Sequence, residues 1–289
     1  MPRILLLMVL FPLSAAAQQK LNLTFFGGFS NYSGDLQEKR FTLEQSHPAV
    51  GAGLSYEVAP KLLVRGELKY GKVGGDDKRS TDTMLLHRNL NFRSQIFEAS
   101  LMGDFSLFDM GMRSRKFTPY IFAGVSLYRF NPYTYDAAGN KAFLRDLGTE
   151  GQGLPEYPDR HPYKLIQLAI PFGGGFRFKI NENTYLGYEI GLRKLFTDYL
   201  DDVSTTYADE AALLAGNGAK AVELAFRGDE LKDDPLSYPP RNTVRGGPKF
   251  KDWYYFSGIT LSIGIFNGDG KLFPKRMHKG SVDCPPSVL

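Results

Sequence analysis

Strict alternation of apolar and polar residues limits this chain more than any other feature. Between Lys164 and Lys179, one parity holds Ile166, Leu168, Ile170, Phe172, Phe176 and Phe178, and the other Gln167, Ala169, Gly173, Gly175, Arg177 and Lys179. A period of two belongs to a β-strand. Asn181, Glu182, Asn183 and Thr184 reverse the chain, and Leu186, Tyr188, Ile190 and Leu192 then oppose Gly187, Glu189, Gly191 and Arg193. This is a hairpin with one apolar face and one face of glycine and charge. Beyond it a long polar connection reaches about Asp252, far longer than an ordinary loop.

The alternation recurs along the chain and predicts eight strands, over residues 21–32, 49–58, 61–73, 92–107, 117–130, the two arms of the hairpin, and 253–266. Long connections alternate with short turns near Pro60, Arg113 and Asn183, an asymmetry typical of transmembrane barrels. The expected fold is therefore all-β: an eight-stranded antiparallel transmembrane β-barrel of the outer-membrane type, with long external loops and both termini periplasmic. A soluble lipocalin-like barrel is the competing architecture. It would need a densely charged outer face, whereas the polar parity here is rich in Gly and Ser.

If the polar parity faces inward, Arg65, Glu67, Lys69, Glu98, Asp104, Glu189 and Arg193 share the lumen. Eight strands leave an interior just wide enough for side chains to fill, and buried charges must pair. An ion-pair plug is predicted rather than a pore. Two details break the pattern: Pro171 in mid-strand predicts a bulge, and Phe266 falls on the parity of Gly264 rather than Ile265.

The first 17 residues read as a signal peptide, with Arg3, an apolar core from Ile4 to Leu13, and Ala15-Ala16-Ala17 before the cut. The core is too short for a membrane helix, which needs about 20 apolar residues. Residues 18–266 are then the barrel and residues 267–289 a periplasmic tail. The formal net charge of +4 is scattered, whereas a nucleic-acid partner needs a clustered basic stripe.

No constellation predicts catalysis, a cofactor or a metal. The pairs Asp76/Asp77 and Asp201/Asp202 could bind calcium or work as acid and base, but solvated loop charge is the expected role. Residues 147–153 share glycines with a phosphate-binding loop but lack its lysine and following Ser or Thr. His87 with Ser80 and Asp82 is the one local arrangement that a hydrolase could use, and chance placement in a loop explains it. The tail is more informative. It carries Lys271, Lys275, Arg276, His278 and Lys279, and would span roughly 60 Å when extended at about 3.3 Å per residue. The single cysteine, Cys284, has no internal mate in an oxidising compartment and is a candidate for an intermolecular disulfide.

Several motifs resemble one family. They are residues 30–35 (Ser-Asn-Tyr-Ser-Gly-Asp), Tyr70-Gly71-Lys72 with Gly75-Asp76-Asp77, and residues 88–94 (Arg-Asn-Leu-Asn-Phe-Arg-Ser). Phe117-Thr118-Pro119-Tyr120, residues 147–153 (Leu-Gly-Thr-Glu-Gly-Gln-Gly), Arg193-Lys194, residues 196–205, Asp252-Trp253-Tyr254 and Cys284-Pro285 complete the set. Together they resemble the PorG-like outer-membrane barrels of the Bacteroidota type IX secretion system. That resemblance implies a noncatalytic outer-membrane component that anchors a periplasmic ring of a PorK-like lipoprotein and a PorN-like protein. Such machinery exports proteins and in some relatives supports gliding motility. It makes Cys284 the candidate covalent link to the ring, and marks Asp198, Tyr199, Asp201 and Asp202 as an external-loop motif. A generic small barrel in outer-membrane lipid, an adhesin or membrane stabiliser, is the alternative.

Overall fold

A computed structural model describes residues 21–37, 42, 44–108, 116–231, 235–247, 249 and 251–266. The expected signal peptide and the tail with Cys284 lie outside the described residues, as does Arg113 of the second short turn.

Among the described residues ten strands form: β1 (Leu21–Ser33), β2 (His47–Ala59), β3 (Leu62–Asp76), β4 (Asn91–Ser106), β5 (Phe117–Arg129), β6 (Pro132–Tyr135), β7 (Lys141–Phe143), β8 (Ile166–Asn181), β9 (Thr184–Leu195) and β10 (Trp253–Phe266). Eight of them follow the order β3-β2-β1-β10-β9-β8-β5-β4, and β4 pairs back onto β3 to close the sheet. Every pairing is antiparallel. The short β6–β7 hairpin hangs from the upper part of β4. Closure removes the sheet edges, which is what lets strands cross hydrocarbon.

Which face looks inward is settled by burial. The apolar parity is outside: Leu68 is 68% exposed, and Phe97, Leu101, Val125, Leu168 and Ile259 are likewise open. The charged parity is inside, with Arg65 at 1% and Arg193 at 0%. In water each such apolar side chain would forgo about 1.5–3 kcal/mol of burial, so this surface suits a bilayer. Two aromatic girdles frame it. Tyr70 and Phe97 meet at 4.8 Å toward the long-connection end, and Phe117 and Phe178 at 5.0 Å toward the short turns. Phe97 and Phe105 are separated along β4 by about 26 Å at roughly 3.3 Å per residue. A tilt of about 40° reduces this to roughly 20 Å, near the roughly 25 Å height of an apolar band. The barrel is thus of the transmembrane, outer-membrane type.

The bulge expected at Pro171 is absent. Its ladder to β5 lapses opposite Gly124 and Val125 but resumes in the same register, and Pro171 pairs with Arg193 without a shift. The neighbouring glycines answer to crowding instead, since a Cβ on Gly173 would lie 2.1 Å from the Ile190 carbonyl oxygen. A register shift does occur at the end of β10, where Leu21 pairs with Phe266 and Asn22 with Gly264. The extra residue, Ile265, carries position 266 to a place opposite Leu21 and accounts for its parity.

The long connections are not loose. They contain α1 (Thr83–Arg88), α2 (Leu144–Leu147), α3 (Glu210–Asn217) and α4 (Ala219–Ala225). The Asp82 carboxylate caps α1 through the Met84 amide, and Asp209 caps α3 through the Ala212 amide. None of the described helices is long and apolar enough to cross a membrane. One apolar core runs from Phe26, Tyr128 and Phe256 in the upper lumen into Leu36, Leu200, Val203 and Leu224 of the connections. A second joins Leu154, Tyr157, Leu213, Ala221 and Ala225. The connections therefore form a packed cap seated in the barrel mouth.

Candidate functional site

The lumen brings together all seven charged residues that the alternation points inward. The Arg65 guanidinium donates to Glu67 at 3.0 Å and to Glu189 at 2.7 Å, and its Nε lies 3.2 Å from Asp104. Lys69 bridges Glu189 at 2.7 Å and Glu67 at 2.9 Å. One layer nearer the cap, Arg193 grips Glu98 with two parallel bonds of 2.8 and 2.9 Å, the strong bidentate geometry. The Tyr254 and Tyr120 hydroxyls donate to Glu98 and Glu189 at 2.7 and 2.9 Å. Arg177 was not among the seven expected members, yet it pairs with Asp104. Its inclusion sets Arg65, Lys69, Arg177 and Arg193 against Glu67, Glu98, Asp104 and Glu189, so the buried charges cancel.

Aromatic rings fill the space between the charges. Lys69 lies 4.5 Å from the Phe26 ring centroid, Arg193 4.6 Å from Phe256 and Arg177 3.7 Å from Tyr120. Toward the short turns, a pocket lined by Asn22, Ser55, Arg177, Tyr185 and Ser262 holds about 20 Å³, room for about one water molecule.

The second polar centre lies in the cap, and here the expectation of solvated loop charge fails. Asp77 and Asp201 are each 1% exposed and Asp202 is fully buried. They are hydrogen-bond acceptors in a packed interior, the role that buried carboxylates require. Asp201 accepts from the Tyr32 hydroxyl and from the Val203 amide at 2.9 Å. Asp202, in the left-handed region at φ 69°, accepts from Thr149 and from Tyr163 at 2.7 Å. Asp77 takes two bonds from Arg88 at 2.7 and 2.8 Å and one from the Leu90 amide.

Glu150 is the hub. It accepts from the Ser204 amide at 2.9 Å, the Thr205 hydroxyl at 2.7 Å, the Tyr199 hydroxyl at 3.1 Å and Arg245 at 3.0 Å. Arg245 also donates to the Asp202 carbonyl at 2.6 Å, and Arg88 to the Arg245 carbonyl. Ser204 donates to Asp198 at 2.8 Å, and the Leu200 amide to Asp252 at 2.9 Å. The glycines of residues 147–153 thus serve a turn that aims Thr149 and Glu150, with Gly148, Gly151 and Gly153 at φ 56, 80 and 85°. Sequence reasoning did not foresee Glu150, Arg88, Arg245 or Asp252 as members. The available signal is that residues 147–153 and 196–205 both belong to the set of resembling motifs, and they pack against each other.

Burial dominates the titration of this centre. It pushes Asp202 up to about 6 against the pull of Arg245, and Asp198 up to about 6 against the Ser204 hydrogen bond. Asp201 is raised well above the carboxylate range by burial and then by Asp35, and Asp252 by burial and then by Asp201 and Asp198. One oxygen of Asp198 and one of Asp252 have no hydrogen-bond partner.

No catalytic arrangement forms around His87, which is exposed on α1 while Asp82 caps that helix. Among the described residues no group of three or more His, Cys, Asp or Glu is placed to hold a metal ion.

Fold and interior together define the class: a small, closed transmembrane β-barrel with a charge-filled lumen under a packed cap. The chain belongs to the family described as "Domain of unknown function (DUF6089)", whose pattern matches residues 2–146, half of its length. No curated protein matches it. Among solved structures it is similar to neisserial surface protein A, at 9% identity and TM-score 0.41 over 86% of this chain and 98% of that one. It is also similar to OprG of Pseudomonas aeruginosa, at 13% identity and TM-score 0.39 over 86% and 98%. A major outer membrane protein of Thermus thermophilus aligns at 12% identity and TM-score 0.41 over 86% and 99%.

Proposed function

We propose that the protein is a noncatalytic, non-conducting outer-membrane barrel that serves as a membrane-embedded platform. The observation that carries this reading is the lumen: eight buried charges cancel within it, and the cap core continues into its mouth. A conduit would need a continuous wet path, and the lumen offers pairs and rings instead. In its general form the platform is a small surface barrel, an adhesin or membrane stabiliser, that works through its cap.

A narrower reading is an anchor for a PorK/PorN-type periplasmic ring of a type IX secretion system. Its support is that two of the resembling motifs, residues 147–153 and 196–205, pack together in the cap, with Thr149 on Asp202 and Glu150 on Ser204. β1 begins and β10 ends beside the short turns, so in this reading both termini are periplasmic and the tail with Cys284 makes the contact. The experiment compares outer membranes carrying the full chain, Cys284→Ser, and a chain ending at residue 266. A reducible high-mass band lost in both variants, together with lost secretion, supports the anchor. Unchanged secretion and a monomer in every lane leave the general platform standing and remove the anchor.

A further inference from the structure

The membrane-facing surface is not uniform. On the outer faces of β2 to β5 a furrow of about 540 Å³ opens, floored by Ala52 and Ala99 and walled by Leu68, Tyr70, Phe97 and Leu127. Its origin is the register. Ala52 pairs with Leu68, Leu68 with Ala99 and Ala99 with Leu127, so small side chains alternate with large ones across adjacent strands. Neighbouring strands are about 4.8 Å apart, and each missing isobutyl group leaves a gap that no protein side chain fills.

Three cations stand over this furrow on three adjacent strands. Arg129 is exposed, lines the furrow and pairs across the sheet with Phe97 of the upper aromatic girdle. Lys72 shares the outward parity of Tyr70, one step nearer the cap, and sits opposite Gln95. Arg93 is outward two residues beyond Gln95 on β4, with its guanidinium 5.9 Å from the Tyr135 ring. Among the described residues no carboxylate forms an ion pair with any of the three. Lumen and cap contrast with this patch, since each buried cation there has an acidic partner. By register the three stand level with positions 93, 95 and 97 of β4, spread over about 10 Å across the strands and about 13 Å along them at roughly 3.3 Å per residue, toward the level where a bilayer places headgroups.

We propose that this patch is a binding site for an acylated, phosphate-bearing lipid. The phosphate is held by Lys72, Arg93 and Arg129, and one acyl chain lies in the Ala52/Ala99 furrow. Complementarity carries the assignment. An apolar furrow in line with the bilayer interior fits a hydrocarbon chain, and unpaired cations at its interfacial end fit an anionic headgroup. Guanidinium groups also match phosphate oxygens in a bidentate fashion. The proposal rests on the reading of the barrel as membrane-spanning.

The test is native mass spectrometry of the full chain in detergent with three probes: dioleoyl phosphatidylglycerol, dioleoylglycerol and inorganic phosphate. Retained adducts are expected with the phosphatidylglycerol, at least tenfold weaker ones with dioleoylglycerol, and none with phosphate. The triple variant Lys72→Gln/Arg93→Gln/Arg129→Gln is expected to lose phosphatidylglycerol about tenfold. Ala99→Phe fills the floor, leaves the charges in place and is expected to weaken retention several-fold. Heat-modifiable migration confirms that each variant is folded. Equal retention by the triple variant, or phosphate bound as well as the lipid, overturns the site. Insertion into vesicles without lipid discrimination also overturns it while leaving the membrane reading intact, whereas failure to insert overturns both.

Discussion

The lumen and the cap both bury many charges, but they solve the problem differently. In the lumen four cations meet four anions through short pairs such as Arg193 with Glu98 at 2.8 Å. In the cap six carboxylates, Asp77, Glu150, Asp198, Asp201, Asp202 and Asp252, are buried, and Arg88 and Arg245 are the buried guanidiniums that reach them. The remaining acceptor capacity is met by amides and hydroxyls, as where the Ser204 amide and Thr205 hydroxyl bind Glu150. The lumen is therefore neutral by pairing, whereas the cap carries excess acid and burial holds Asp77, Asp198, Asp201, Asp202 and Asp252 above the ordinary carboxylate range. Lumen stability should depend on partners, and cap stability on pH.

The largest effect is expected in the lumen. Arg193→Met leaves Glu98 as an uncompensated buried charge, and removing one member of such a pair costs about 3–5 kcal/mol. Urea titration of folded barrel in detergent measures the loss, and adding Glu98→Leu should recover most of it. If the double variant is no better than the single, pairing is not what stabilises the lumen. Next comes the hub of the cap. Glu150→Gln strands Arg245 and weakens charge-assisted bonds worth about 1.5–3 kcal/mol each. Limited proteolysis should then cut residues 147–163 and 197–252 while the strands stay protected.

A smaller effect separates the regions by pH. Burial raises Asp202 and Asp198 to about 6, so the folded cap binds protons that the unfolded chain releases. Cap stability is then greatest at acid pH and falls as pH rises through about 6, opposite to ordinary acid unfolding. Hydrogen exchange should show slower opening of residues 198–205 at pH 5 than at pH 8. Asp198→Asn should remove part of that difference by slowing exchange at pH 8 with little change at pH 5. Faster exchange at pH 5 would mean that the acid excess does not govern the cap. The smallest effect is at α1, where Asp82→Ala removes an N-cap worth about 0.5–2 kcal/mol. It should loosen residues 77–90 and leave the lumen transition unchanged.

The barrel was almost fully legible in the sequence because alternation is a local signal. Strand number, the phase of long and short connections and the inward charges all follow from parity along single strands. Arg177 escaped because parity places a residue on a face without naming its partner, and Asp104 is 73 positions away. Pro171 misled because a missing N–H can be accommodated by a short lapse in one ladder. The cap was illegible for a deeper reason. Its centre joins Tyr32 near the end of β1 with Asp77, Glu150, Asp201, Arg245 and Asp252 from three connections, and no periodicity marks contacts between loops. Polar loop residues read as solvated until a neighbouring loop is seen to cover them.

Planar-bilayer recording of the purified full chain tests the central claim, a lumen closed by matched charge beneath a seated cap. A quiet trace is expected for the wild type, with no steady openings under applied voltage in either polarity. A stable ohmic conductance from folded wild-type barrels would contradict it, because ions would then be crossing a lumen that the Arg65 and Arg193 networks fill.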